Sequence, residues 1–334
     1  MPDLGDVVVR ARGLARHLLP AGRLAELARA GGVGVLAGLL ESSGYAIGHT
    51  EGGAARSATD VIDAAIEREG ARHLGILACW LGRRRALFAG VFEGEERRVL
   101  RIIVRRIAAG DTRGAPPAPA EQLPWLPRRA MRELGAATEW PSLVRALRRA
   151  GSAYAEPLDR ALRQAGSAAP ALEAALEDTF ARRSREAAAR AEGPLCSWVA
   201  DGIDLENAWD VLLGAGGAHL EGGRRLGRAR RDAIALEPDE RVRWKELSRV
   251  FAGGALAAVF VDPQAPLASL ERRALRARIV ELRRAARREP LGPAPILEVV
   301  MRLRAEQVSL RCIAWGLGQG LPPAVIEGGL VWPP

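Results

Sequence analysis

Residues 306–320 read EQVSLRCIAWGLGQG, and residues 96–110 read ERRVLRIIVRRIAAG. Both segments follow the pattern E-x-x-x-L-R-x-I, and both place a glycine ten residues after the leucine. The shared positions are Glu96, Leu100, Arg101, Ile103 and Gly110 in the first copy and Glu306, Leu310, Arg311, Ile313 and Gly320 in the last copy. Such self-similarity is typical of repeat architectures, so the two segments are expected to be equivalent helices of one fold.

A weaker middle copy lies between them, at residues 204–211, which read DLENAWDV. Asp204 stands in the acidic position, Asn207 follows three residues later, and Ala208 replaces the leucine. The acidic positions 96, 204 and 306 are therefore spaced by 108 and 102 residues. This spacing predicts three similar units along the chain.

A leucine-rich stretch precedes each copy, and two of the three stretches end on a tyrosine. Tyr45 lies 51 residues before Glu96, and Tyr154 lies 50 residues before Asp204. Agreement at two independent offsets supports the repeat. We predict helical units at residues 1–114, 128–222 and 223–334, with a proline-rich linker at residues 115–127.

The residue types of the motif indicate a structural role. On a helix, the acidic residue and the leucine four positions later share one face, and the isoleucine three positions further joins them. The apolar members are expected to pack inward, while the carboxylate pairs with an arginine or caps a helix. The glycine is typical of a helix end followed by a turn. None of these positions requires catalysis.

Composition predicts an all-α protein. Alanine, leucine, arginine and glutamate, all strong helix formers, dominate the 334 residues, and only 4% are aromatic. The patterns predict helices that include one from an N-cap at residues 57–60 to Leu81, one at 204–213, one at 267–288 and a short final helix opened by Pro322-Pro323.

The charge leaves two interpretations open. The net charge is +9 and the pI about 10.7, yet Lys245 is the single lysine. The arginines are either solvated cations that reflect a compositional bias or a surface that faces acidic protein, anionic lipid or nucleic acid. Arginine-rich stretches at residues 224–231 and 272–288 are the candidates for such a surface, although they carry almost no aromatic residues for stacking on bases.

The sequence disfavours a metal-binding protein, a disulfide-stabilised protein and a membrane-spanning protein. Cys79, Cys196 and Cys312 are odd in number and far apart, which predicts reduced, buried thiols. No histidine spacing is typical of a metal site, and no cofactor is expected. The apolar runs at residues 30–40 and 251–261 have eleven residues each, whereas a helix needs about 20 to cross a bilayer. Residues 1–6 are not typical of a signal peptide.

The three segments together resemble the C-subunit family of archaeal and bacterial V/A-type ATPases, whose eukaryotic members are the d subunits of the V-ATPase. That family carries a D/E-x-x-N-L element in each of three similar helical domains. The last copy runs into Leu321-Pro322-Pro323 and a final helix with Ile326, as is typical of the family. Residues 219–224, HLEGGR, resemble its L-I-P-G-G turn with Glu221 at the proline. Val99 and Ser309 depart from the asparagine of the family.

The resemblance implies a mechanical role. Three pseudo-repeated domains would form a pseudo-threefold funnel or socket that seats the central shaft, made of the D and F subunits, on the proteolipid ring of the membrane. Such a protein is peripheral, on the cytoplasmic side, and serves ATP-linked ion transport or ATP synthesis without binding nucleotide. The alternatives are a helical-repeat adaptor or a basic nucleic-acid-binding protein. An enzyme is disfavoured, because Gly316-x-Gly318-x-Gly320 is no phosphate-loop motif and follows no predicted strand.

Overall fold

A computed structural model describes residues 3–47, 57–110, 123, 125–191, 193–214 and 219–331, with only the backbone of 267–268. Within these ranges the chain is helical and contains no strand, which confirms the all-α prediction. No helix in the described part of the chain is both long enough and apolar enough to cross a membrane.

Fifteen α-helices follow one another along these ranges. They are α1 (Gly5–Leu14), α2 (Ala21–Ala28), α3 (Val33–Glu41), α4 (Ala58–Leu81), α5 (Ala89–Ala108), α6 (Arg128–Gly135), α7 (Trp140–Ala150), α8 (Ala155–Ala165), α9 (Ala169–Ala189), α10 (Gly193–Leu213), α11 (Arg228–Ala235), α12 (Glu240–Phe251), α13 (Leu267–Arg288), α14 (Ala294–Gly318) and α15 (Pro323–Gly328). Short 3-10 helices cover Ala15–His17, Gly82–Phe88 and Ala255–Val259.

The chain divides into two compact units. The middle unit spans Ala78–Ala252, and the terminal unit combines Asp3–Leu77 with Gly253–Pro334. The first and last parts of the chain therefore fold together. The division into three repeats at residues 1–114, 128–222 and 223–334 stays a prediction, and most of the linker at 115–127 lies outside the described residues.

The core of the terminal unit is built around α14. Leu310 and Ile313 are fully buried there and pack with apolar side chains of α2, α3, α4 and α15. Removing such side chains from water is the main favourable term in folding, worth about 1.5–3 kcal/mol for each large aliphatic residue. The two aliphatic positions of the motif therefore anchor this core.

The core of the middle unit is built around α5 and α9. Leu100 and Ile103, the first-copy counterparts of Leu310 and Ile313, are fully buried against α7, α8 and α9. The motif thus supplies the same two core positions in both units.

Several helix boundaries confirm the sequence predictions. In α4, the amide of Asp60 donates to Ser57 Oγ and the amide of Ser57 donates to Asp60 Oδ2, so the two residues cap each other. Helix α13 has the predicted bounds, and the final helix begins at Pro323.

Two expectations need correction, and one helix was not predicted from the sequence. Helix α10 begins at Gly193 rather than at Asp204, because Pro194 occupies a first-turn position that tolerates proline. Helix α11 carries so few buried apolar side chains that hydrophobic periodicity does not mark it. The cysteines are not buried as predicted: Cys79 is exposed on α4, and the other two are partly exposed.

Candidate functional site

Glu306, the acid of the last copy, is buried in the terminal unit and uses both of its carboxylate oxygens. The Tyr45 hydroxyl donates to Oε1 at 2.6 Å, and the backbone amide of Leu19 donates to Oε2. Burial raises the pKa of Glu306 to about 7, against the lowering effect of these two hydrogen bonds. Burial, followed by the nearby Glu306 carboxylate, also raises the pKa of Tyr45.

Glu96, the acid of the first copy, is buried in the middle unit and accepts a hydrogen bond from the Ser152 hydroxyl. Tyr154, two residues further on, donates its hydroxyl to the backbone oxygen of Glu93 at 3.0 Å. Burial raises the pKa of Glu96. In both the first and the last copy, the acid therefore receives a hydroxyl from the turn that carries the tyrosine of a leucine-rich stretch.

Asp204, the acid of the middle copy, is fully buried and is held by backbone amides. Arg224 and Arg225 donate their amides to Oδ2 at 2.9 and 3.0 Å, and Leu226 donates its amide to Oδ1 at 3.1 Å. Gly222 has a positive φ of 109°, which glycine tolerates, and Gly223 lies against the carboxylate. The Gly-Gly turn therefore wraps the chain around this acid.

The third residue after the acid fixes a later segment of the chain. Asn207 donates to the carbonyl oxygen of Leu220 at 2.9 Å and accepts from its amide at 2.8 Å. Ser309, at the same position of the last copy, accepts from the amide of Val331 at 3.0 Å. Both polar side chains are buried, so each satisfies backbone groups that water cannot reach.

A comparison with protein families gives this geometry its context. The family described as ATP synthase (C/AC39) subunit matches residues 7–329, nearly the whole chain. The chain belongs to this family. It is therefore a member of the C/d family of V/A-type ATPase subunits, which confirms the resemblance drawn from the repeated motif. No curated protein sequence matches the chain.

In this family member, the arginine of the motif pairs with two acids on a neighbouring long helix. Arg311 lies 2.7 Å from Asp63 Oδ1 and also contacts Glu67, one turn further along α4. Arg101 lies 3.4 Å from Glu173 and 3.4 Å from Glu177, again one turn apart, on α9. The first and last copies thus make matched contacts. The middle copy has Trp209 at this position and cannot repeat them.

The motif glycines end their helices. Gly110 follows α5 with φ 65°, and Gly320 follows α14 with φ 66°, both in the left-handed region. At the end of α14 the amide of Gly320 donates to the oxygen of Leu317, and that of Leu321 donates to the oxygen of Gly316. These bonds satisfy carbonyl groups that a helix end leaves open.

The departures from the family pattern now have physical explanations. Ser309 keeps one of the two backbone bonds that asparagine makes in the middle copy. Val99, at the same position of the first copy, is fully buried among apolar side chains. Valine therefore suits the surroundings of this position.

The residues that bind the motif acids were not all visible in the sequence. The spacing of the repeat pointed to Tyr45. No sequence signal pointed to Ser152 or to the Leu19 amide. The amides of residues 224–226 were indicated only by the Gly-Gly turn before them. Among the described residues there is no cluster of histidine, cysteine and acidic side chains that could hold a metal ion. The ten motif residues together form packing and pairing positions rather than one surface site.

Proposed function

We propose that this chain is the non-catalytic central-rotor subunit of its ATPase. In this role it is the socket that couples the shaft, made of the D and F subunits, to the proteolipid ring, from the cytoplasmic side of the membrane. The observation that carries the proposal is the family match over residues 7–329, since it covers all three copies of the motif. The contacts of the motif support a mechanical rather than a chemical use of the buried acids.

A protein that transmits torque must resist deformation, and the middle unit is cross-linked by ion pairs. Arg97 lies 3.0 Å from Glu206 on α10, also pairs with Glu177 on α9, and stacks 4.2 Å over the ring of Phe180. Arg105, two turns further along α5, makes another such ion pair, with Glu173 on α9 at 2.7 Å. Each exposed pair contributes at most about 1 kcal/mol, but a row of pairs fixes the register of the helices.

The arginine-rich stretch at residues 224–231 is largely engaged within the chain. Arg224 pairs with Asp201 at 2.9 Å, Arg228 pairs with Glu221 at 2.8 Å, and Arg231 pairs with Asp210. Part of the positive charge of this stretch is therefore balanced within the chain. This arrangement disfavours the nucleic-acid-binding alternative.

The stretch at residues 272–288 leaves cations available. Arg287 and Arg288 are exposed in the last turn of α13 and pair with no acid in the described part of the chain. Each guanidinium group suits bidentate contacts with a carboxylate of a partner. We propose that they meet an acidic surface of a neighbouring ATPase component.

Co-purification tests the proposal. The tagged full-length chain is expected to recover the shaft and the proteolipid ring from detergent-solubilised membranes. The double variant Arg287→Glu/Arg288→Glu should recover less, whereas the matched control Arg128→Glu/Arg132→Glu, exposed on α6, should not. If both double variants recovered the same amount of shaft and ring, α13 would not belong to the proposed interface. If the unchanged chain recovered neither shaft nor ring, the proposed role as a socket would be refuted.

An activity measurement tests the non-catalytic role separately. The purified chain is expected to show no ATP hydrolysis above the background of a mock preparation. Turnover that scales with the amount of chain through successive purification steps would contradict the proposal.

A further inference from the structure

An apolar surface is exposed where α14 ends and α15 follows. The side chains of Trp315, Leu321 and Val325 are 48%, 44% and 57% exposed to solvent. Residues 322–324, between the last two, are exposed as well. No residue from 312 to 326 is charged, although charged residues make up 27% of the chain. The three large side chains are called the apolar patch below.

The patch is held together because the chain folds back onto α14. The amide of Leu321 donates to the carbonyl oxygen of Gly316 at 2.9 Å. A methyl group added at Gly316 would overlap the side chain of Ile326, so α15 packs directly against the last turns of α14. Trp315 and Val325 are the chain neighbours of these two contact residues. The exposed apolar side chains therefore form one surface and are not scattered singly over the molecule.

Acidic side chains of α4 border the patch on one side. Arg311, one turn before Trp315 on the same face of α14, contacts both Asp63 and Glu67 of α4. Asp60, three residues before Asp63, is exposed. Three carboxylates therefore accompany one guanidinium group along this border. The border carries a net negative charge, although the net charge of the whole chain is +9.

Two arginines lie on other sides of the patch. Arg29, directly after α2, pairs with Glu327 of α15 at 2.7 Å. Arg272, on α13, acts electrostatically on Cys312, one turn before Gly316. An apolar centre with a charged rim is the usual anatomy of a protein–protein interface, and tryptophan is enriched among the residues that contribute most to binding. The patch therefore has the composition of a surface that binds protein.

The two ends of α14 differ in their surface chemistry. The helix has 25 residues and is about 38 Å long. Arg287 and Arg288 lie shortly before its first residue, in the last turn of α13, whereas the apolar patch lies at its last residues. A partner segment that carries acidic side chains suits the first end and is repelled by the carboxylates at the second. We therefore expect different partner segments at the two ends.

We propose that the apolar patch binds a segment of another subunit of the ATPase, with an apolar centre and basic side chains beside it. The apolar centre covers the patch, and the basic side chains meet the carboxylates of α4. These carboxylates repel the phosphates of anionic lipids and of nucleic acid, so neither is the expected occupant. The inference rests on the family to which the chain belongs and not on the proposed role as a socket.

The sign of the partner's charge is tested at Gln319. This neutral, exposed side chain lies one turn after Trp315, beside the patch. Gln319→Lys should reduce the amount of the partner subunit that co-purifies with the chain about fivefold relative to Gln319→Glu, because the added cation repels a basic segment and the added carboxylate attracts it. Circular dichroism should show the same helix content in both variants. Equal recovery, or a larger loss with Gln319→Glu, would overturn the basic character of the partner.

Photo-crosslinking in membranes that contain the assembled ATPase identifies the occupant. The photoreactive residue benzoylphenylalanine replaces Trp315, and mass spectrometry sequences the cross-linked peptide. The expected product joins the chain to another ATPase subunit, through a peptide in which apolar residues stand beside lysine or arginine. The same replacement at Leu236 is the matched control, since this side chain is 84% exposed but belongs to the middle unit, and it should give no such product. A cross-link to lipid, to a second copy of the chain or to an acidic peptide, or no cross-link at all, would overturn the proposal.

Discussion

The Tyr45 hydroxyl donates a hydrogen bond of 2.6 Å to Glu306, across 261 residues of sequence. Tyr45 precedes Glu96 by the repeat offset, yet its hydroxyl binds the acid of the last copy. Ser152, from the second leucine-rich stretch, binds Glu96. The leucine-rich stretches and the motif acids are therefore paired in space in a different order from their order along the chain.

Tyr45→Phe should destabilise the terminal unit by about 1.5–3 kcal/mol at pH 8, where Glu306 is largely ionised, because hydrogen bonds to charged groups lie in that range. Urea denaturation, followed by exchange of amides in the terminal unit, measures the change. Tyr154→Phe is the matched control. Its hydroxyl donates to a neutral carbonyl, so its removal should cost about 1 kcal/mol. An equal or smaller effect of Tyr45→Phe would contradict the expected difference.

Gly223→Ala should destabilise the middle unit by about 3 kcal/mol or more, because a methyl group at this position would overlap Asp204 Oδ1 and displace the carboxylate from its three amides. Thermal unfolding measures the effect. Gly227→Ala is the control: an added methyl group there meets no atom within 4 Å, so the unfolding temperature should hardly change. Similar losses in both variants would show that the close approach at Gly223 is not the cause.

Ser309→Ala should destabilise the terminal unit by about 1–3 kcal/mol, since it leaves the buried amide of Val331 without its acceptor. Asn207→Ala should cost more, because it removes two bonds to Leu220. Ser184→Ala is the control, since this buried hydroxyl has no hydrogen-bond partner among the residues described, and its loss should be nearly neutral. Exchange rates of the Val331 and Leu220 amides provide the readout, and unchanged rates would refute the assignment.

The sequence predicted the class of fold and the motif helices because both depend on local properties. Helix propensity, the spacing of apolar residues and the Ser57 cap predict α4. The last copy of the motif lies on a helix as predicted, in the second half of α14. The glycine ten residues after Leu310 predicts the end of α14, where Gly320 adopts the left-handed conformation.

The partners of the motif acids could not be predicted in the same way. The Leu19 amide is a backbone group, and a backbone donor at long range has no sequence signature. Ser152 and Ser43 occupy equivalent places two residues before a tyrosine, yet Ser152 binds a motif acid whereas Ser43 donates to the carbonyl oxygen of Leu39. Tertiary packing decides which hydrogen-bond partner each serine has, and the periodicity of the sequence does not encode it.

Leu310→Asp should unfold the terminal unit, because the side chain is fully buried and an aspartate there would place an unpaired charge in the apolar core. The middle unit has its own core around α5 and α9, so its amides should keep their protection. Leu236→Asp is the matched control: its side chain is 84% exposed, and the variant should stay folded. Circular dichroism and hydrogen exchange separate the two outcomes. A soluble Leu310→Asp variant with native exchange rates in α14 would show that the helix is not packed through Leu310, and the assignment of the motif leucine to the core would then fail.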